Sequence, residues 1–114
     1  MNVHCTWRFA VSSDGAPLDC LPALDRVMER LLEIESIDLH LSDSAVAFDA
    51  AAGMAEVSIE SDGSTLEEAL AQADDAVRSA IHAAGGSTPN WASQRKSVES
   101  GNSVTFTHGH LLVS

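Results

Sequence analysis

Two histidines near the C-terminal end of the chain have the spacing of a metal site. His108 and His110 stand at positions i and i+2, and residues with that spacing share one face of a strand. Their imidazoles would then be placed to share a zinc or nickel ion, with further ligands from His4, Cys5 or Cys20. The alternative is a solvated terminal strand that binds no metal, and for the chain as a whole we expect no cofactor.

A second set of polar residues alternates along two other segments. The first segment contributes His4, Thr6 and Arg8, and the second contributes Glu56, Ser58 and Glu60. On neighbouring strands, Arg8 would form an ion pair with Glu56 or Glu60. A histidine beside a carboxylate suits acid–base catalysis, but no nucleophile elbow accompanies it. We therefore predict no catalytic residues and a polar face that is covered by solvent or by a partner. The alternative is a small-molecule site, whose residues would be His4, Arg8, Glu56 and Ser58.

Two adjacent glycines in the segment 82–91 (HAAGGSTPNW) raise the question of a phosphate-binding loop. Such loops precede a helix, because free N–H groups and the positive end of the helix dipole then face the anion. Gly85 and Gly86 instead follow a helical pattern, where the carbonyl groups and the negative end of the dipole are exposed. The pattern is typical of a helix that ends at a left-handed glycine. We expect Trp91 to pack the chain back on the edge of the domain.

These candidate residues depend on strands and helices whose periodicity is visible in the sequence. Residues 3–11 alternate strictly, which predicts a strand with one buried face. Its apolar side consists of Val3, Cys5, Trp7, Phe9 and Val11. Residues 19–35 repeat apolar side chains at helical spacing, and Asp19 is a suitable N-cap. The expected buried stripe of this helix is Leu21, Leu24, Val27, Met28, Leu31 and Leu32.

Residues 37–60 contain two apolar patterns of opposite parity. One consists of Ile37, Leu39 and Leu41, and the other consists of Val46 and Phe48. One regular strand cannot bury both sets, because a shift by one residue reverses the face. Either the segment 42–44 is a bulge or break, or the strand begins near Ser44; we favour a strand over 44–49. A turn at 49–53 then leads into a strand over 54–60.

The second helix begins after Thr65 and ends at the two glycines. Thr65 and Glu68 match a capping box, and an alanine-rich apolar stripe follows as far as Ala84. The tail contains either two strands, over 93–99 and 103–107, or one irregular strand over 104–113.

The predicted order of elements is strand, helix, strand, strand, helix, strand in a single domain over residues 1–114. This is the order of a ferredoxin-like β-α-β-β-α-β sandwich, an α+β fold in which two helices cover one face of an antiparallel sheet. Residues 92–114 would supply the last strand, or form an extension or an exchanged strand. The fold does not imply an iron–sulfur cluster, since two cysteines cannot supply four thiolates.

Two segments resemble a group of small uncharacterised bacterial proteins. The segments are VAFDAAAGMAEVSI (46–59) and AAGGSTPNW (83–91), and the resemblance covers residues 44–91. It implies the same α+β sandwich, and it brings no catalytic or binding residues to this chain. The tail beyond Trp91 departs from the shorter chains of that group.

The charge of the chain limits its partners. Its 114 residues carry a formal net charge of −11 at pH 7, so most of the surface repels nucleic acid and anionic membranes. No apolar run is long enough to span a bilayer and no signal peptide is visible. The two cysteines are too few for a disulfide framework. We therefore expect a cytoplasmic protein that binds neither nucleic acid nor membrane.

Self-association is the function class that this architecture favours. A sheet with helices on one side leaves its other side bare, and small domains cover that side with a second copy or join their edge strands. The interface candidates outside the two helices are Ile37, Leu39, Leu41, Leu111, Leu112 and Val113. We predict a homodimeric interaction or structural module without catalysis. The alternatives are small-molecule binding by the open polar face and metal binding through His108 and His110.

Overall fold

A five-stranded sheet and two helices make up the part of the chain that the computed structural model describes, residues 1–12, 21–88, 91, 95–100 and 102–112. In chain order the elements are β1 (Asn2–Ser12), α1 (Leu21–Ile37), β2 (Leu41–Asp49), β3 (Met54–Asp62), α2 (Leu66–Ala83), β4 (Arg95–Ser100) and β5 (Ser103–Leu112). α1 lies over β2, α2 lies over β3 and β1, and the helices pack against each other. The small α+β domain expected from the sequence is therefore confirmed. Of the helices in this part of the chain, none is long and apolar enough to cross a membrane.

β1 lies at the centre of the sheet, and the side chains on one of its faces form the sheet side of the hydrophobic core. Its predicted alternation is confirmed, because the side chains on one face are fully buried: Val3, Cys5, Trp7 and Phe9. The neighbouring strand β3 buries the three residues predicted for it, Ala55, Val57 and Ile59. α2 faces these strands with a stripe that is mostly alanine, and such small side chains let the helix lie close to the sheet.

The ferredoxin-like prediction of an antiparallel sheet is wrong in the last part of the fold. The strand order is β2-β3-β1-β5-β4, so β5 rather than β4 lies beside β1. β5 pairs with β1 in parallel, from His4 with Ser103 to Ser12 with Leu112. β4 pairs antiparallel with β5 and forms the edge. The sheet is thus mixed and five-stranded, and the tail forms two strands rather than one.

The composition of β4 and β5 explains why they take these places. β4 reads RKSVES, and a short charged strand suits a sheet edge because it discourages pairing with other chains. β5 contains Val104 and Leu111, which are fully buried, and therefore suits the interior of the sheet. β4 and β5 form an antiparallel hairpin, and β5 is the strand of this hairpin that runs in the same direction as β1.

α1 buries a narrower stripe than the sequence predicts. Leu24, Val27 and Leu31 face the core, whereas Leu21 and Leu32 are exposed. The prediction that Leu21 and Leu32 belong to the buried stripe is therefore wrong. Asp19, the predicted N-cap, lies outside the described residues.

β2 is a single bulged strand, so the strand over 44–49 that we favoured is too short. Its register with β3 shifts between Ser42 and Ala45, and Asp43 has a positive φ of 53°. The bulge inserts an extra residue into β2, so apolar residues of opposite parity before and after it face the same side of the sheet. As a result, Leu41 is buried on the same side of the sheet as Val46 and Phe48.

α2 begins and ends as the sequence predicts. The Oγ1 atom of Thr65 accepts a hydrogen bond from the N–H of Glu68 at 3.1 Å. Gly85 has a positive φ of 88°, and the N–H of Gly86 donates to the carbonyl of Ile81 at 3.0 Å. This is a Schellman motif, so the two glycines end the helix and do not form an anion-binding loop.

Trp91 covers the part of the core that the helices leave open. Within the described residues, neither helix makes an extensive contact with β4 or β5. The Trp91 ring stacks on Trp7 and Phe9, with ring centroids 6.1 and 5.6 Å apart. Trp7 stacks in turn on Phe106 at 5.0 Å. Trp91 therefore packs the chain back on the domain as predicted, but it does so over the central strand β1 and not at the edge of the domain.

Two residues of α2 hold Trp91 in place. Its indole N–H donates to Oδ1 of Asp74 at 2.6 Å, and the guanidinium of Arg78 lies 5.6 Å from the ring centroid, within range of a cation–π interaction. Asp74 and Arg78 meet the same ring because they are one helical turn apart. Burial raises the pKa of Asp74, while the indole hydrogen bond and Arg78 partly oppose that rise.

We expect Trp91→Ala to lower the free energy of unfolding by about 2–4 kcal/mol, because it removes two stacked contacts and a hydrogen bond and leaves a cavity. Urea denaturation measures this change. Leu39→Ala is the control, since Leu39 is 93% exposed and its loss should change stability by less than about 0.5 kcal/mol. Equally small effects of the two substitutions would contradict the role given to Trp91.

We expect Asp74→Asn to stabilise the chain most at neutral pH and progressively less on acidification. A carboxyl whose pKa is raised by folding binds its proton more tightly in the native state. Its stabilising contribution is therefore full below the ordinary value of 3.8 and is lost as the pH rises through the folded-state pKa. Asparagine keeps an acceptor for Trp91 and does not titrate. Urea denaturation of the wild type and of Asp74→Asn, at pH values from below 3.8 to neutral, tests the prediction. A difference in stability between the two chains that is independent of pH would refute it.

Candidate functional site

The open face of the sheet carries a ladder of polar pairs between β1 and β3. The antiparallel register sets His4 opposite Glu60, Thr6 opposite Ser58, and Arg8 opposite Glu56. These residues alternate with the buried ones, so they lie on the face that the helices do not cover. The predicted adjacency of the two strands is confirmed, and the binding role of their residues stays a prediction.

Two of these pairs set a basic side chain against a carboxylate. Arg8 donates from Nε to Oε2 of Glu56 at 3.2 Å, and Nδ1 of His4 lies 2.8 Å from Oε1 of Glu60. The side chains of Arg8 and Glu56 are 51% and 48% exposed, so solvent screens their pair and its contribution to stability is small. Of the two partners expected for Arg8, the structure selects Glu56.

The pair of His4 and Glu60 has the form of an acid–base pair. The carboxylate can orient the imidazole ring. In the described part of the chain, however, His4 makes no hydrogen bond to a hydroxyl or thiol, so it has no nucleophile to activate.

A crevice opens where the hairpin of β2 and β3 meets β1, and we call it the hairpin crevice. It has a volume of about 390 Å³ and is lined by Arg8, Ala47, Phe48, Asp49, Met54, Ala55 and Glu56. Two of the four predicted ligand-binding residues, Arg8 and Glu56, therefore line a common cavity. The other two, His4 and Ser58, lie outside it.

The turn between β2 and β3 fixes one wall of the hairpin crevice. Oδ1 of Asp49 accepts hydrogen bonds from the N–H groups of Ala51 at 3.1 Å and Ala52 at 3.2 Å. Gly53 has a positive φ of 65°, which glycine adopts without strain. The N–H of Val11 donates to the carbonyl of Gly53 at 2.9 Å and ties the turn to β1. The sequence predicted this turn, but it did not predict the crevice, which three separate segments form.

The predicted metal site lies partly outside the described residues. His108 and His110 lie on β5, but their side chains are outside the described residues. The register of β5 with β1 shifts between Trp7 and Phe9, so the regular strand assumed for the two histidines is interrupted there. Among the residues that the structure describes, no group of three His, Cys, Asp or Glu side chains is placed to hold a metal ion. Metal binding through His108 and His110 stays a prediction.

Of the further metal ligands considered from the sequence, His4 and Cys5 lie on opposite faces of β1. Cys5 is fully buried on the core side of β1, whereas its neighbour His4 faces the open side. Burial, and next the carboxylate of Glu60, raise the pKa of the Cys5 thiol to about 12. Cys5 is therefore a core residue and a poor ligand, because metals bind the thiolate. Cys20 lies outside the described residues.

The six apolar interface candidates fall into three groups. Leu41 and Leu111 belong to the core, with exposures of 4% and 0%, so the prediction that they are available to a partner is wrong. Ile37 and Leu39 are 82% and 93% exposed beside the start of β2. For Leu112 and Val113, the prediction lies outside the described side chains.

Comparisons with known proteins identify no family for this chain. No protein-family model matches it, and neither a curated protein nor a solved structure matches it. The resemblance of residues 44–91 to small bacterial proteins is therefore supported only as far as a small α+β domain with a five-stranded sheet and two helices.

We expect the Cys5 thiol to be unreactive in the native protein. A rise in its pKa from 9.0 to about 12 lowers the thiolate fraction about a thousandfold at a given pH below 9, and burial also blocks the reagent. A Cys20→Ser chain isolates Cys5 for titration with a disulfide reagent at mildly alkaline pH. Slow modification without urea and fast modification in urea are expected, whereas fast modification of the native chain would contradict the assignment of Cys5 to the core.

Proposed function

We propose that this chain is a small acidic interaction module that forms a homodimer through the open face of its sheet and has no catalysis of its own. The observation that carries the proposal is the distribution of charge on that face. β1 presents the basic residues His4 and Arg8, and β3 presents the acidic residues Glu60 and Glu56 directly opposite them. The face therefore has a row with basic side chains beside a row of carboxylates, and Arg8 and Glu56 form its pair of opposite charges.

Two such rows are complementary to a second copy of themselves. A two-fold axis that runs parallel to the strands sets β1 of one copy over β3 of the other. Arg8 then faces Glu56 of the partner subunit, and His4 faces Glu60 of the partner subunit. An axis across the strands would set like rows over each other, which is unfavourable. The charges therefore favour the two-fold axis that runs parallel to the strands over the axis that runs across them. In either case the interface is isologous, so both copies use the same surface.

Small side chains between and beside the charged rows permit a close approach of two sheets. Thr6 and Thr105 on this face are only 6% and 4% exposed, so they lie below the ends of the longer side chains. Ala45 and Ala47 extend the face on β2, where they lie opposite Ser58 and Glu56. Packed sheets stand about 10 Å apart, and short residues at the centre suit that distance.

The edges of the sheet are less suited to association than its face. β2 is interrupted by the bulge at Asp43, and the register of β4 with β5 shifts between Val98 and Ser100. Bulges break the row of free N–H and C=O groups that a pairing strand needs. We therefore propose contact through the face and not through exchanged or joined edge strands.

The net charge of the chain affects how strongly two copies associate. Each copy carries −11, and long-range repulsion between copies is screened beyond about 8 Å at physiological ionic strength. Local pairs across the face then determine the orientation. We propose that the module acts in the cytoplasm, where its thiols would stay reduced, and that its strongly acidic surface disfavours nucleic acid as a partner.

We expect the wild-type chain at tens of micromolar to have twice the chain mass of 12.0 kDa in sedimentation equilibrium. Arg8→Glu makes both rows acidic around position 8, and Glu56→Arg makes them both basic, so each variant alone should be monomeric. An equimolar mixture of the two variants should recover the doubled mass, because complementary charges then meet only between different chains.

Arg30→Glu is the matched control for a change of charge, since Arg30 pairs with Glu33 on the exposed side of α1 and the variant should remain dimeric. Circular dichroism verifies that each variant is folded. A wild-type mass near 12.0 kDa at these concentrations would refute the dimer. A dimeric wild type whose two face variants remain monomeric when mixed would refute the face as its interface.

A further inference from the structure

The hairpin crevice shares Arg8 and Glu56 with the proposed dimer face, and it also has the features of a small-molecule site. Its volume of about 390 Å³ falls in the lower part of the range for small-molecule pockets. Its wall is fixed before any ligand arrives, because Asp49 caps the turn and Val11 ties the turn to β1. A fixed wall reduces the entropy lost on binding.

Arg8 supplies the unused hydrogen-bonding capacity of the crevice. Its Nε is bonded to Glu56, and within the described residues its two Nη nitrogens have no acceptor. A guanidinium presents these donors as a planar fork that matches a carboxylate. The ligand group that best fits Arg8 is therefore a carboxylate.

The other charged groups argue against a simple anion. Asp49 and Glu56 also line the crevice, so its two carboxylates outnumber its one guanidinium. The whole chain is acidic as well, with a net charge of −11, and its field repels anions. A ligand that carries an ammonium group beside its carboxylate avoids this repulsion, because the ammonium is attracted to Asp49 and Glu56.

The rest of the lining determines the body of the ligand. Ala47, Phe48, Met54 and Ala55 form the apolar part of the wall, and Met54 is 38% exposed. An aliphatic side chain would bury apolar area against Met54, which adapts readily to the shape of a neighbour.

We propose that the hairpin crevice binds a free aliphatic α-amino acid, with its carboxylate on Arg8, its ammonium near Asp49 and Glu56, and its side chain against Met54. This function goes beyond self-association, since it requires one chain and one small molecule.

L-Leucine is the probe, and amide chemical shifts of the labelled chain report its binding. We expect shifts confined to residues 8–11 and 47–56, with a dissociation constant of about 1 mM or tighter. L-Leucinamide lacks the carboxylate and N-acetyl-L-leucine lacks the ammonium, so both should bind at least about tenfold more weakly, a loss of about 1.4 kcal/mol. An absence of shifts at millimolar L-leucine would refute the proposal.

Variants locate the binding site within the crevice. Arg8→Gln should weaken binding of L-leucine at least about tenfold, and Arg8→Lys should weaken it less because it keeps the charge without the fork. Met54→Glu should also weaken binding, since it adds a third carboxylate to the crevice. Arg30→Gln on α1 lies outside both the crevice and the proposed dimer face and should bind as the wild type does. Binding that survives Arg8→Gln or Met54→Glu would overturn the assignment, whatever mass the chain has in solution.

Discussion

The register of β1 is the constraint on which the rest of the structure depends. β1 pairs with β3 on one side and with β5 on the other, so its alternation sets the faces of three strands. Its odd-numbered residues form the floor of the core, and its even-numbered residues build the charged ladder. A slip by one residue would bury Arg8 and expose Trp7. An unpaired buried charge costs several kcal/mol, so this register is strongly specified.

The features that the sequence predicts well are those that a short segment determines by itself. The alternation of β1, the hydroxyl cap at Thr65 and the left-handed Gly85 each depend on a few neighbouring residues, and all three are confirmed. The order of the sheet depends on which distant strands pair, and periodicity contains no information about that choice. The contrast between the charged β4 and the apolar β5 indicated which of them takes the edge. It could be recognised only once two strands, and not one, were assigned to the tail.

Other differences from the sequence prediction also have a physical cause in tertiary contacts. α1 lies over β2 at the edge of the sheet, so one flank of the helix stays in water and Leu32 is exposed although it has the spacing of a core residue. The bulge at Asp43 reconciles two apolar parities that a regular strand could not. On the open face, the sequence placed Arg8 among acidic residues, and only the register distinguished Glu56 from Glu60. The hairpin crevice needs Met54, Asp49 and Arg8 together, and no local pattern relates these residues.

The two proposed roles of the open face share one guanidinium, so they are not independent. The Nε of Arg8 is engaged by Glu56 within the chain, which leaves the Nη donors for either Glu56 of the partner subunit or the carboxylate of a ligand. The chain has 6 Lys and Arg residues against 17 Asp and Glu residues, so few other cations are present to take over either contact. Thermodynamic linkage requires that a ligand weaken dimerisation by the same factor by which dimerisation weakens ligand binding. An amino acid that occupies Arg8 would therefore shift the chain towards the monomer, and Arg8 would couple the assembly of this module to the concentration of its ligand.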